Sequence, residues 1–462
     1  MLAMNLLLPY HFLRAGWATR HLHGDTLQDY QDRKVREIIR YAALHSPFYR
    51  ELWKGRDLDD WRNLPTVDKA AMMAHFGTFN TRGITKEEAF SVALHAERSR
   101  DFAPTVRRDV TVGLSSGTSG HRGAFLVSSA ETAAWAGTVL RRVLHRLPRP
   151  GYRVAFFLRS NSNLYERIGG RVRFRWFDLM TPILEAVSAL NIYAPDLLVG
   201  PPSLLLSLAE MAKRGLLTIR PERLVSVAET LEDQDKTELE STFGVPVGQV
   251  YQCTEGFLAA TCRAGRLHIN EDLVTIQYEK LDEGTGQPGQ RVSPIITDLW
   301  RRTQPIIRYR LGDILTLEDD TTPCPCGSRF QVIRAVEGRC DDVCAFPDAS
   351  TGELRRFYPD TIRRMILLAD ERVTDYAAVQ DAPGSLSIHL AIAGESDFAV
   401  VRASVLQSAT DILGRYGCYA ERLEIVAGLP HIPPGVKRRR VISLAGRSAQ
   451  RQPVLPGRCS IK

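Results

Sequence analysis

A loop rich in glycine and hydroxyl side chains lies within the stretch LSSGTSGHRGAFLVSS (114–129). Small residues let backbone N–H groups converge on an anion, and Ser and Thr add further donors. Strand-like segments before and after the loop favour a tight β-hairpin whose amides point at one ligand. We predict a phosphate-binding loop without the lysine that such loops usually contain; taken alone, the segment is also compatible with an ordinary connector. Its candidate ligands are Ser115, Ser116, Gly117, Thr118, Ser119 and Gly120.

A second stretch, VYQCTEGFLAATC (250–262), carries polar side chains at the end of an apolar strand. Ligands of open α/β sheets bind at the carboxyl ends of the strands. There Thr254 can donate to a phosphate and the Glu255 carboxylate can hold Mg²⁺. The alternative is a solvated strand end.

Three further motifs are unspecific when taken one at a time. QPIIRYRLGDIL (304–315) places Asp313 after a glycine turn, where its carboxylate can accept both ribose hydroxyls. The other two motifs are EGRCDDV (337–343), at the predicted domain boundary, and PPGVKRRR (433–440), near the C-terminus.

Four sulfur and nitrogen side chains have the composition of a metal site. Two thiolates in CPCG and a Cys/His pair in CRAGRLH provide the four ligands that structural Zn²⁺ prefers, and mixed Cys/His ligands favour zinc over iron. The alternative is a set of unrelated thiols. The predicted ligands are Cys262, His268, Cys324 and Cys326.

Short apolar strands alternate with helical patterns between residues 105 and 315, which predicts an α/β domain with a largely parallel sheet. After Gly338 the pattern reads strand, strand, helix, strand, which is typical of a small α+β domain. We predict two domains, residues 1–338 and 339–462.

Composition limits the classes of protein that remain. The chain has 462 residues, a net charge of +7 and a pI near 9.0, but its Lys and Arg are spread along most of its length. No stretch of eighteen apolar residues occurs, and eight cysteines in a chain of this length do not suggest a disulfide framework. We expect a cytoplasmic protein, monomeric or homodimeric, that binds neither nucleic acid nor membrane.

The order of the five motifs resembles the adenylate-forming superfamily of acyl-CoA synthetases and adenylation domains, over residues 110–440. Within it the chain looks most like the phenylacetate–CoA ligase branch and the proteins related to deazaflavin-coenzyme adenylating synthetases. That branch tolerates the missing loop lysine, and Arg122 is a candidate replacement for the charge. The resemblance implies an α/β fold with a large N-terminal domain of mixed sheets and flanking helices, and a small mobile C-terminal lid.

The resemblance also implies a role for each matching residue. The 115–120 loop would hold the β- and γ-phosphates of ATP, Thr254 would contact the α-phosphate, and Glu255 would hold Mg²⁺. Asp341 matches the hinge of the small domain. The residues expected around adenine and ribose are Glu229, Tyr251, Asp313 and Arg339.

Lys437 best matches the mobile lysine that stabilises negative charge while a carboxylate attacks the α-phosphate. One inserted residue separates it from the glycine that usually precedes this lysine, so Arg438 and Arg439 compete for the role.

The expected reaction is activation of a carboxylic acid, aromatic acids among the candidates, as an acyl-adenylate with release of pyrophosphate. The acyl group would then pass to a thiol such as coenzyme A or to an amine. Two alternatives are adenylyl transfer to a hydroxyl or other oxyanion of a small molecule with AMP retained in the product, and a nucleotide-binding or scaffold protein without catalysis. Candidate acyl-pocket residues, which a packed strand and polar loop would explain equally, are Phe157, Arg159, Asn161 and Phe257.

Overall fold

The structure is a computed structural model that describes residues 2–114, 123–158, 172–281, 291–318, 323–393, 398–432 and 437–444. Helices and strands are numbered in chain order. The α-helices are α1 (Leu2–His21), α2 (Gly24–His45), α3 (Pro47–Leu52), α4 (Lys69–Ala74), α5 (Phe76–Phe79), α6 (Lys86–Ser99), α7 (Ser129–Leu144), α8 (Ile183–Tyr193), α9 (Pro202–Lys213), α10 (Asp233–Phe243), α11 (Pro359–Leu367) and α12 (Phe398–Arg415). Short 3₁₀ helices span Trp61–Asn63 and Cys340–Asp342.

The strands of the first three quarters of the chain are β1 (Val110–Leu114), β2 (Ala124–Ser128), β3 (Tyr152–Leu158), β4 (Val172–Asp178), β5 (Leu197–Gly200), β6 (Arg223–Ser226), β7 (Val247–Cys253), β8 (Gly256–Thr261), β9 (Leu267–Ile269), β10 (Val274–Lys280), β11 (Arg291–Asp298), β12 (Tyr309–Arg310), β13 (Asp313–Leu317) and β14 (Val332–Arg339). The remaining strands are β15 (Cys344–Pro347), β16 (Leu354–Phe357), β17 (Val373–Gln380), β18 (Ser385–Ile392), β19 (Arg422–Ala427) and β20 (Val441–Ser443).

A large mixed sheet organises the first part of the molecule, with strand order β10-β11-β13-β14-β9-β8-β7-β6-β5-β3-β4 and β12 paired to β11. The neighbours from β4 to β7 are parallel, whereas those from β7 onward are antiparallel. The expected α/β fold is confirmed, but the prediction of a largely parallel sheet is wrong for its second half. Helices α8, α9 and α10 supply crossovers between parallel strands, while short turns such as the one after β7 permit only antiparallel pairing.

Two hydrophobic clusters cover the two faces of the parallel half. One includes Phe157 and Leu198 with α8 and α9, and the other includes Val154 and Val199 with α7. Strand β5 is buried along its whole length. This explains why LLVG is uniformly apolar, since a strand with helices on both faces has no solvated side.

The predicted hairpin around the glycine-rich loop is present as β1 and β2, an antiparallel pair that forms a sheet of its own. Its loop, residues 115–122, lies outside the described residues. Helix α7 starts directly after β2 with a capping box, in which the Ser128 hydroxyl accepts from the Glu131 N–H and the Glu131 carboxylate accepts from the Ser128 N–H. This cap fixes the end of the hairpin to helix α7.

A second, smaller unit has its own core and a four-stranded sheet of order β19-β18-β17-β20. The predicted strand, strand, helix, strand pattern corresponds to β17, β18, α12 and β19. The core of this unit begins at Cys344, just after β14 leaves the large sheet. Division of the chain after Gly338 stays a prediction. Among the described residues, no helix has the length and apolar character needed to cross a membrane.

Candidate functional site

A cleft of about 930 Å³ lies between the large sheet and the smaller unit. Its walls come from the ends of β6, β7 and β14, from the start of β13, and from the segment before β20. Five residues singled out from distant parts of the sequence line it together, namely Glu229, Tyr251, Asp313, Arg339 and Lys437.

Thr254 and Glu255 form the tight turn between β7 and β8. The Thr254 hydroxyl donates to Glu255 Oε2 at 2.7 Å, and the Tyr309 hydroxyl donates to Oε1 at 3.1 Å. Burial raises the pKa of Tyr309, and the neighbouring Glu255 charge raises it further. Tyr309 therefore stays a neutral donor that orients the carboxylate, whose oxygens are of the kind that Mg²⁺ binds.

Asp313 lies at the start of β13, held from both sides. The Tyr251 hydroxyl donates to its Oδ2 at 2.6 Å, and Arg339 Nη1 is 3.3 Å from its Oδ1. Gly312 has φ +71°, a left-handed conformation that turns the chain before the aspartate. Burial raises the pKa of Asp313, while the Arg339 charge opposes the change.

Lys437 comes from the smaller unit but acts electrostatically on the large one. Burial lowers the pKa of its ammonium, and the charges of Asp313, Cys253 and Glu229 partly restore it. The next residue anchors the segment, because the Arg438 N–H donates to Glu229 Oε1 at 3.1 Å. Glu229 also accepts from the Ser203 N–H at 3.2 Å, so it joins the large sheet to the lysine segment.

The two arginines that compete with Lys437 have other partners. Arg438 forms an ion pair with Asp375, and Arg439 forms one with Asp342. Lys437 is among the main charges that act on the pKa of Asp313, which it lowers. The geometry therefore favours Lys437 over its neighbours as the cation of the cleft.

Asp341 lies in the 3₁₀ helix that directly follows β14. It comes two residues after Arg339, where β14 ends, and its charge acts on both Arg339 and Lys69. The hinge role of Asp341 stays a prediction.

The four predicted metal ligands lie together, with their ligand atoms within 4.8 Å of one another. Cys262 Sγ is 3.7 Å from Cys324 Sγ, and Cys326 Sγ is 3.6 Å from His268 Nε2. A tetrahedron with usual zinc bond lengths has edges of about 3.8 Å between sulfurs and about 3.6 Å between sulfur and nitrogen. The donor set therefore fits a tetrahedral metal ion.

Hydrogen bonds around this cluster orient its ligands. The Phe330 carbonyl is 2.7 Å from His268 Nδ1, which leaves Nε2 as the ligand atom. The Ala264 N–H donates to Cys262 Sγ and the Ser328 N–H donates to Cys326 Sγ, both at 3.3 Å.

The two candidate acyl-pocket residues that the structure describes, Phe157 and Phe257, lie in different hydrophobic clusters. Phe157 stacks on Phe177 in the core under the helices, with 4.8 Å between ring centroids. Phe257 lies in the core cluster on the opposite face of the sheet. Arg159 and Asn161 lie outside the described residues, as does the 115–120 loop, and all of these assignments stay predictions.

Three residues near the site have no recognisable motif. Tyr309 contacts Glu255 as described, and the buried Arg301 donates to the Thr254 carbonyl at 2.5 Å. Lys69 begins α4, and its charge interacts with Glu255, Arg339 and Asp341. The alternation in IIRYR could have indicated Tyr309, but nothing in the sequence connects residue 69 with residue 255.

Comparison with known proteins agrees with this architecture: the chain has the α/β fold of adenylate-forming enzymes, with a large mixed sheet and a small C-terminal sheet domain. 2-Hydroxyisobutyryl-CoA ligase in the postadenylation state superposes with a TM-score of 0.69 at 21% identity, covering 92% of this chain and 91% of that one. The open conformation of that ligase, in complex with 2-HIB-AMP and CoA, superposes with a TM-score of 0.56 at 21% identity, covering 89% and 90%.

One curated relative also matches in sequence. Protein CapK of Staphylococcus aureus is 23% identical over 258 residues. The match covers 54% of this chain and spans about half, 54%, of the length of CapK. No protein-family model matches the chain.

Proposed function

We propose that the protein uses ATP to activate a carboxylic acid as an acyl-adenylate, releases pyrophosphate, and passes the acyl group to a thiol or an amine. The observation that carries the proposal is the convergence of Lys437 with Asp313, Tyr251 and Glu229 in one cleft. These residues come from four separate segments of the chain, and together they offer a cation, a ribose acceptor and an aromatic wall.

In this proposal Asp313 accepts the two ribose hydroxyls, with Tyr251 and Arg339 holding its carboxylate in place. Glu229 and Tyr251 flank the adenine. Thr254 donates to the α-phosphate, and Glu255 binds Mg²⁺, which neutralises the triphosphate. The Tyr309 contact supports the magnesium role because it orients the carboxylate of Glu255.

In the first step a substrate carboxylate oxygen bonds to the α-phosphorus, and the bond to the bridging oxygen of pyrophosphate breaks. The phosphate oxygens gain charge in the transition state, where the Lys437 ammonium stabilises them. Such a charge acts most strongly in a site that excludes water, as the burial of Lys437 supports. In the second step the acceptor attacks the acyl carbonyl and AMP leaves.

We propose coenzyme A as the first acceptor to test, on the likeness to a fold whose solved relative carries CoA beside 2-HIB-AMP. We also propose that the smaller unit, residues 339–462, turns about Asp341 between the two steps. The resemblance to the phenylacetate–CoA ligase branch, with its relation to deazaflavin-coenzyme adenylating synthetases, belongs to this proposal and makes aromatic acids the first substrates to test.

We propose that the four-residue Cys/His cluster binds structural zinc. Cys262 and His268 flank the β8–β9 turn, whereas Cys324 and Cys326 precede β14. A bound ion would cross-link these two segments and stiffen the sheet that carries Glu255. It would supply no catalytic chemistry, because all four positions of a tetrahedral ion are taken by protein ligands.

The test is pyrophosphate release from ATP and Mg²⁺ with a panel of aryl and aliphatic acids, with hydroxylamine present to trap the acyl-adenylate as a hydroxamate. Lys437→Ala should reduce the rate by about 100-fold or more. Lys236→Ala is the matched control, because Lys236 lines the same cleft and has no assigned role.

Acid-dependent release with trapped hydroxamate would support acyl-adenylate formation. Release that requires a hydroxyl compound, with AMP retained in the product, would replace it with adenylyl transfer. Absence of release with every compound would favour a nucleotide-binding protein without catalysis.

A further inference from the structure

Arg301 occupies an unusual position for a charged side chain. It follows β11 and is 8% exposed. Its Nη1 donates to the Thr254 carbonyl at 2.5 Å, and its Nη2 donates to the Leu126 carbonyl at 3.2 Å. One guanidinium therefore joins the β7–β8 turn to strand β2.

Gln304 completes the contact with β2. The Leu126 N–H donates to Gln304 Oε1 at 2.9 Å, and Arg301 Nη2 lies 3.3 Å from the same oxygen. The two side chains thus satisfy both polar main-chain groups of Leu126. Strand β2 pairs only with β1 in the described sheets, so Arg301 and Gln304 form hydrogen bonds that a second neighbouring strand would otherwise form.

Carboxylates fix the backbone from which Arg301 extends. Asp298 Oδ1 accepts from the N–H groups of Trp300 at 2.8 Å and Arg301 at 2.9 Å. Glu131 Oε1 accepts from the N–H groups of Arg302 and Thr303 at 2.5 and 2.7 Å. The direction of the guanidinium is therefore set before any ligand binds.

Burying the Arg301 charge has an unfavourable free energy if the side chain only fills space. The three oxygens that accept its hydrogen bonds all belong to neutral groups. A guanidinium removed from water pays a desolvation penalty of several kcal/mol that neutral acceptors offset only in part. A buried apolar residue would fill this site at a lower cost in free energy. The cost therefore indicates that the hydrogen bonds of the planar guanidinium have a role beyond packing.

We propose that Arg301 is a positioning residue that sets the distance between the glycine-rich hairpin β1–β2 and the Thr254–Glu255 turn. The inference rests on the proposed function and on the expectation that the loop joining β1 to β2 holds the β- and γ-phosphates while Thr254 contacts the α-phosphate. A displacement of about 1 Å between such elements can cost about 100-fold in rate. Lysine cannot replace the fork, because a single ammonium does not fix two carbonyls in one plane.

The experiment compares Arg301→Ala with Arg302→Ala, its exposed neighbour, whose guanidinium lies over the Tyr41 ring. Binding of MgATP and of AMP is measured by titration calorimetry, and pyrophosphate release by a coupled assay. If Arg301 positions the hairpin relative to the Thr254–Glu255 turn, Arg301→Ala should weaken MgATP binding by about 10-fold or more and lower kcat by about 100-fold. AMP should lose clearly less affinity than MgATP, because Asp313 and Tyr251 still hold its nucleoside and only the Thr254 contact with its phosphate is disturbed.

Chemical rescue separates positioning from simple loss of structure. Millimolar guanidinium should restore part of the kcat of Arg301→Ala, while equal ammonium should not. Arg301→Lys should behave like Arg301→Ala. If Arg301→Ala does not fold, Gln304→Leu replaces it, with a loss in MgATP affinity of about 5-fold expected from the freed Leu126 N–H.

Equal losses of MgATP and AMP affinity, or a kcat within about 3-fold of wild type, would overturn the proposal. Wild-type protein that binds MgATP but releases no pyrophosphate would contradict the proposed function alone, and the two affinities would still decide the role of Arg301. Wild-type protein that binds no MgATP would overturn both.

Discussion

Arg440 is expected to control how often Lys437 reaches the cleft. It donates two hydrogen bonds to Asp235 of α10, at 2.7 and 2.9 Å, and a third to Asp375 of β17 at 2.9 Å. Asp235 belongs to the large part of the molecule and Asp375 to the smaller unit. Arg440 follows Lys437 by three residues, so the ion pair fixes the segment that carries the lysine.

The magnitude follows from burial, since Arg440 and Asp235 side chains are 9% and 4% exposed. Removing one member of such a pair costs about 3–5 kcal/mol, because the other charge is left buried. If this free energy destabilises the conformation in which Lys437 lies in the cleft, Arg440→Met should lower the rate of pyrophosphate release by about 100-fold or more.

The assay is acid-dependent pyrophosphate release at saturating MgATP. Arg422→Met is the matched control, because Arg422 pairs with Glu424 in the same unit at an exposed site. Asp235→Asn and the double variant Arg440→Met/Asp235→Asn complete a cycle, in which the double variant should lose no more than Arg440→Met alone. The reasoning is wrong if Arg440→Met keeps its rate within about 3-fold, or if Arg422→Met loses as much.

Three further outcomes are expected. The rate of pyrophosphate release should fall as pH rises through the lowered pKa of Lys437, because the ammonium loses its charge. Lys437→Arg should move this alkaline limb of the pH profile to higher pH, and an unmoved limb would contradict the assignment of Lys437. Purified protein should contain one zinc ion per chain by elemental analysis. The Cys326→Ser variant should lose the ion and have a lower Tm, whereas Cys344→Ser, which changes a buried thiol outside the cluster, should keep the metal. Lys69→Met should weaken binding of MgATP by about 10-fold with AMP binding nearly unchanged, because the Lys69 ammonium, whose charge acts on Glu255, would attract the anionic triphosphate at that end of the site. The exposed Lys54→Met should change neither affinity.

Local patterns in the sequence were sufficient for much of the fold. Periodicity located β3, β5, β6 and β7 and the strand, strand, helix, strand order of the smaller unit, because each of these patterns reflects burial of one local segment. The antiparallel half of the large sheet was missed, since strand direction depends on which segments become neighbours.

The sequence by itself determined which residue types were available and in what order, including Thr254–Glu255, Asp313 and the four Cys/His residues. Only the tertiary structure showed that the arginine neighbours of Lys437 have ion-pair partners, because those partners, Asp375 and Asp342, are distant in the chain. It also decided that Lys69 and Arg301 lie beside the site. Short-range patterns record local burial, whereas charges and hydrogen bonds between residues far apart in the chain exist only once the fold brings them together.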